Sequence, residues 1–104
     1  MTRTHTDLIL KYRCADYLES HFCEAGHWSD LEQLWLIEPF DEVEEHPEIA
    51  FLQVGRPGVD GIGFGYRAGL DGLWAYYPMS DEFEFKASTV RELVEGWLGG
   101  RISV

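Results

Sequence analysis

Cysteine is scarce in this sequence: its 104 residues hold two, Cys14 and Cys23. Two thiols are too few for a disulfide scaffold, so a reducing, cytoplasmic setting is expected. No apolar run reaches 18 residues, which leaves no candidate membrane helix. Met1 to Leu10 lacks the basic start and apolar stretch of a signal peptide. Positive charge is scarce as well, with 8 Lys and Arg against 19 Asp and Glu, a formal net charge of -11. Such a surface repels nucleic acid and anionic membrane and attracts a basic protein, whose encounter it can accelerate electrostatically. Solubility alone is the plainer reading of the same charge.

At this length one domain over residues 1–104 is expected, able to bury roughly two thirds of the unfolded chain's surface. No internal repeat, linker or low-complexity stretch divides it. The organising stretch runs from Ile49 to Pro78, where IAFLQV, GIGFGYR and LWAYYP are separated by GRPGVD and AGLDG. Aliphatic and aromatic runs punctuated by Gly, Pro and Asp read as an antiparallel meander. Asp60-Gly61 and Asp71-Gly72 are its turn signals. Strand side chains alternate between faces, so Gly61, Gly63, Gly65 and Arg67 share one face and Ile62, Phe64 and Tyr66 the other. Pairing Arg67 with Leu73 would set Phe64 beside Tyr76 and Tyr66 beside Trp74, an aromatic ladder. The glycine face then suits close approach by a helix, or else a ligand pocket with Arg67 and Tyr77 at its mouth.

Around this meander, Thr6 is placed to cap a helix from Asp7 to about Ala25, with Leu8, Tyr12, Ala15, Leu18, Phe22 and Ala25 on one stripe. Ile9, Leu10 and Tyr17 fall outside the stripe, where they extend the buried band or make a homodimer contact; monomer and homodimer both stay open. Ser29 to Glu32 has the form of a capping box, followed by a strand over Leu34 to Ile37. Pro39 opens a turn anchored by Phe40 and Val43. From Glu38 to Glu48, six carboxylates fall in eleven residues, either a solvated face or a docking surface for a basic protein. Phe83 and Phe85 alternate with charges in an edge strand over Met79 to Lys86. Thr89 and Glu92 form a capping box for a helix that ends at Gly99-Gly100, and Ile102 to Val104 is a candidate last strand. The fold class is α+β: an antiparallel sheet of about four to six strands with an N-terminal and a C-terminal helix packed on it.

Signals for chemistry are thin. Cys14, His21, Cys23 and His27 carry zinc-type donors. On one continuous helix, however, the first pair and the second pair point to opposite sides. Metal binding and a Cys23–His27 nucleophile are therefore weak readings, and no cofactor is called for. Asp60, Asp71, Asp81, Glu82 and Glu84 fall in turns or on an exposed edge, and Arg56 is a turn residue. There is neither a nucleophile elbow nor a phosphate loop. Catalysis has no specific support.

The run LIEPFDEVEEHPEIAFLQVGRPGVDGIGFGYR, then DGLWAYYP, then FEFKASTVRELVEGWLGG, resembles the later two thirds of the SUKH superfamily, of the cell-wall synthesis regulator type, over about residues 36–100. The resemblance makes Phe51 to Gly55 one strand, Asp60 to Tyr66 a second, Asp71 to Trp74 part of a third, and Ala87 to Trp97 the closing helix. These are packing residues, and the family's Leu-Pro opening and Asn-Gly-Gly type turn are absent before Trp28. The resemblance implies a non-enzymatic α+β module that binds other proteins, as bacterial immunity proteins bind toxin nucleases. The expected docking residues are Glu42, Glu44, Glu45 and Glu48, with Trp35 or Trp74 as the aromatic anchor.

Overall fold

The computed structural model describes residues 5–30 and 33–104. Three short helices, α1 (His5–Tyr12), α2 (Ala15–Leu18) and α3 (Phe22–Ala25), precede seven strands and a closing helix. The strands are β1 (His27–Ser29), β2 (Leu34–Ile37), β3 (Glu44–His46), β4 (Phe51–Gly55), β5 (Gly63–Arg67), β6 (Leu73–Tyr77) and β7 (Glu82–Ala87), and the helix is α4 (Val90–Leu98). All pairings are antiparallel, in the order β1-β2-β4-β5-β6-β7. β3 also pairs with β4, beside its Phe51 to Gln53 half, while β2 takes the Gly55 end. The fold is α+β. Among the described residues no helix is long and apolar enough to cross a membrane.

The expected single N-terminal helix is broken. Arg13 has φ 53, so α1 stops at Tyr12 without any glycine or proline. Tertiary bonds hold the break. The Lys11 carbonyl accepts from the Gly69 N–H at 3.0 Å, the Arg13 guanidinium reaches Asp71 at 3.2 Å, and the Tyr12 hydroxyl donates to Glu45 at 2.7 Å. The break resets the helical phase, so Cys14, Tyr17 and Cys23 are buried while Ala25 is exposed. Tyr17 is therefore core, not a dimer contact; Leu10, at 77% exposure, is the part of that trio left open. Thr6 lies inside α1 instead of capping it, since His5 is already helical. Ser29 belongs to β1, and Leu31 and Glu32 of its expected capping box lie outside the described residues. Residues 102–104 form no strand; Ile102 instead packs against Gly96 of α4.

The β5–β6 register differs by one residue from the expected one. Gly63 faces Tyr76, Phe64 faces Ala75 and Gly65 faces Trp74. Because strand side chains have a period of two, a one-residue slip exchanges faces. Phe64 and Tyr66 now share a face with Leu73 and Ala75, small enough for helices to close over. Trp74 and Tyr76 move to the glycine side, and the four-ring ladder does not form.

One face carries the main core. Leu52, Val54, Phe64, Tyr66, Leu73 and Ala75 pack there against Leu8, Tyr12, Cys14, Tyr17 and Phe22 and against Val90, Leu93 and Val94 of α4. Asp16 ties three elements together. Its carboxylate accepts from the buried Tyr66 hydroxyl at 2.9 and 3.0 Å and from the Val90 N–H that starts α4 at 2.7 Å. Thr89 caps α4, accepting from Glu92 N–H at 3.1 Å. Glu92 reaches back to the Ser88 N–H instead of the cap's own.

Among the described residues no α-helix packs on the opposite face. Across its middle run Glu44, Gln53, Gly65, Trp74 and Phe85, one row of directly paired residues. Here the glycines admit neighbouring side chains, not a helix. A Cβ at Gly63 would sit 2.7 Å from the Gln53 side chain, and one at Gly65 would sit 2.8 Å from the Phe51 ring. Phe51 is fully buried yet stands outside the main core cluster.

Candidate functional site

Two strands share one edge of β4, and the gap between them makes the most distinctive concavity. The loop leaving β2 crosses there through Glu38 and the one-turn 3-10 helix Phe40–Glu42, then returns as β3. Glu44 and Glu45, expected in that turn, are strand residues because β3 pairs with β4 at Gln53 and Leu52. The result is a cleft of about 310 Å³ lined by Trp28, Gln33, Leu34, Trp35, Glu38, Glu42, Glu44 and Arg56. Trp28 and Trp35 form an edge-to-face pair, 5.3 Å between ring centres and 79° between planes. The aromatic pair makes one wall and carboxylates the other.

Glu38 is the buried acid of this cleft, 4% exposed. Its N–H donates to Val54 at 2.6 Å, its carbonyl accepts the Tyr17 hydroxyl at 2.6 Å, and its carboxylate takes Arg56 at 2.8 Å. Burial pushes its carboxyl pKa above the ordinary range, against the opposing pull of Arg56. Glu38 is thus spoken for by Arg56, whereas Glu42 and Glu44 are exposed. A cation entering the cleft would meet two indoles and two exposed carboxylates, the combination that favours ammonium and guanidinium groups.

The expected docking residues therefore divide into three sets. Glu42, Glu44 and Trp35 meet in the cleft. Glu48 and Trp74 lie on the helix-free face: the Glu48 carboxylate sits 3.5 Å from the ring of His46, and His46 sits 3.6 Å from Glu44. Glu45 is turned to the other side and held by Tyr12 and by Lys11 at 3.0 Å, so it serves the fold. The expected pocket with Arg67 and Tyr77 at its mouth does not form. Tyr76, not Tyr77, pairs with Gly63 on the face of Arg67, and Tyr77 packs against the core on the other side. Gln53 and Phe51 fill the glycine surface. Trp28 and Arg56 are not among the expected docking residues, and Glu38 is expected only as the flank of the acidic run; the tryptophan count does not say which rings meet.

Among the described residues no group of three or more His, Cys, Asp or Glu is placed to hold a metal ion. Cys14 is fully buried, and desolvation pushes its thiol pKa up to about 12. Since the thiolate is the reactive form, Cys14 is expected to resist iodoacetamide in the native protein at pH 8 and to react once urea unfolds the chain. Mass spectrometry of the labelled peptide reads this directly, and prompt native labelling would contradict the burial.

Comparison with known proteins gives no match: neither a family model, nor a curated protein, nor a solved structure matches the chain.

Proposed function

We propose that the chain is a non-enzymatic protein-binding module, of immunity or regulatory type, that docks its acidic surface onto a basic partner such as a toxin nuclease domain in the cytoplasm. The observation that carries this reading is the meeting of Trp35, Glu42 and Glu44 in one cleft, in a chain of net charge -11. A basic side chain of the partner enters between the indoles and the carboxylates. The surrounding charge sets the encounter rate, and the desolvated aromatic contact supplies most of the affinity. The resemblance to SUKH immunity proteins points to the same class of partner.

The test is capture of partners from the native host on the immobilised chain, followed by affinity measurement with the captured protein. A basic protein is expected, bound tightly near 50 mM salt and at least about tenfold more weakly near 500 mM, where exposed charges are screened within several ångströms. Glu42→Gln with Glu44→Gln is expected to lower the association rate and flatten that salt dependence. An acidic partner, or affinity unchanged across this salt range, would overturn the reading.

A further inference from the structure

The helix-free sheet face has the anatomy of an interface centre, and no α-helix of the described residues covers it. Phe51, Tyr76 and Phe83 form one group of rings and Trp74 and Phe85 another, bridged by Arg67. Phe51 lies 5.4 Å from Phe83 and 6.0 Å from Tyr76, Tyr76 lies 4.9 Å from Phe83, and Trp74 lies 5.5 Å from Phe85. Arg67 is set between the two groups, its guanidinium 4.1 Å from the Phe83 ring centre and 4.9 Å from that of Trp74. Lys11, Arg13, Arg56, Lys86 and Arg91 each pair with a carboxylate. Arg67, in a chain with a large surplus of acid, makes no ion pair among the described residues and is held by rings. Two flanking rings restrain its rotation, so its N–H groups are presented at low entropic cost.

The shape fits a macromolecule. A concavity of about 430 Å³ at β7 and the C-terminus touches it only at Phe83, and the 310 Å³ cleft touches its rim only at Glu44; five neighbouring strands of about five residues give a platform of roughly 17 by 19 Å. A small molecule on such a platform would stay mostly exposed, unlike the burial that ligand pockets provide. Enrichment in aromatic residues and arginine at the centre with charge at the rim is the pattern of protein interfaces. The rim carries Glu44 and Glu48 around His46, and Asp81, which accepts the Tyr76 hydroxyl at 2.7 Å. A second copy of the chain would set this acidic rim against itself, with -11 on each side.

We infer that this face is the apolar centre of the docking surface, and that it takes a protein partner presenting an apolar patch ringed by Lys or Arg. The apolar patch covers Trp74 and Phe85, Arg67 donates to carbonyl oxygens of the partner, and the basic ring meets Glu44, Glu48 and Asp81. Glu44 also lines the tryptophan cleft, so the two surfaces adjoin. The inference rests on the reading of the chain as a binder of basic proteins and adds a second, apolar contact beside the cleft.

Three end-capped six-residue peptides serve as probes: alternating Leu/Lys, alternating Gly/Lys and alternating Leu/Glu. Each is titrated up to about 1 mM, the range of weak encounters, against the intact labelled protein with NMR detection. The Leu/Lys peptide is expected to bind at least about five-fold tighter than Gly/Lys, shifting the Trp74 indole signal. Phe85→Ala and Phe85→Lys, at a side chain already 50% exposed, are expected to remove that advantage while leaving the melting temperature near that of the parent. Glu42→Gln with Glu44→Gln is expected to weaken both lysine peptides alike. Equal binding of the two lysine peptides, or silence of both Phe85 variants, would overturn the inference and leave the acidic docking reading standing. Binding of Leu/Glu as tight as Leu/Lys would overturn the assigned partner chemistry, and no binding by either lysine peptide would sink both. A concentration-dependent doubling of mass that Phe85→Lys abolishes would assign the face to a second copy, which also refutes it.

Discussion

Gly65→Ala is expected to cost about 3 kcal/mol or more, enough to leave much of a marginally stable domain unfolded. Gly65 sits at the middle of β5 with paired strands on both sides. A methyl group there meets the Leu52 carbonyl oxygen, well inside van der Waals contact, and the Phe51 ring at 2.8 Å. A flexible side-chain end could move aside, but a backbone oxygen inside a sheet cannot move without breaking its ladder. Gly69→Ala is the control. Nothing lies within 4 Å of its Cβ, so only its φ of +77 is penalised, at about 1 to 2 kcal/mol. Urea denaturation of the two variants separates steric from conformational cost. Equal midpoints would show that β5 is not clamped between its neighbours as described.

Asp16→Ala is expected to lower the unfolding free energy by about 2 to 4 kcal/mol. Hydrogen bonds to a charged acceptor contribute about 1.5 to 3 kcal/mol, and orphaning a buried donor adds its own desolvation penalty. The alanine orphans two donors at once, the Tyr66 hydroxyl and the Val90 N–H. Tyr66→Phe is expected to cost less, about 1 kcal/mol, because it removes one donor and leaves Asp16 its bond to α4. Burial of its ring, and then the Asp16 carboxylate, hold the Tyr66 phenol well above the ordinary tyrosine pKa. Its ultraviolet titration is therefore expected to appear only as the protein unfolds in alkali. A double-mutant cycle should return coupling between the two positions, and additive losses would show that the bond contributes nothing.

Much of the sheet was legible in the sequence because its local and tertiary preferences agree. β4, β5, β6 and β7 are built from aromatic and aliphatic runs ended by residues that suit turns, and the expected turn at Asp60-Gly61 is present, with positive φ at both residues. Thr89 likewise caps α4. The failures lie where distant contacts decide. Nothing local ends α1 at Tyr12; the left-handed Arg13 is held by Asp71, 58 positions further on. β3 reads Glu-Glu-His, with no strand preference of its own, and exists because β4 offers an open edge. The register of β5 on β6 turned on a single residue in the five-residue loop, yet it decided which aromatic rings are core and which face outward.

The candidate site was legible only in part. Charge and tryptophan picked out Glu42, Glu44 and Trp35, which do meet, and Glu45, which does not join them. Sequence distance hides the difference. Glu44 and Glu45 are neighbours, but on a strand adjacent side chains leave by opposite faces, and β3 is a strand only by virtue of its partner.

The way Gln53 lies over Gly63 and the Phe51 ring over Gly65 has a consequence for how this sequence can drift over generations. A bulkier residue at 63 becomes tolerable only after 53 has shrunk, whereas at 65 the Leu52 carbonyl oxygen bars a side chain whatever stands at 51. Positions 53 and 63 are bound to change in concert, so relatives that depart from Gly63 should betray it by a compensating loss of volume ten positions upstream, while the residue at 65 should stay a glycine.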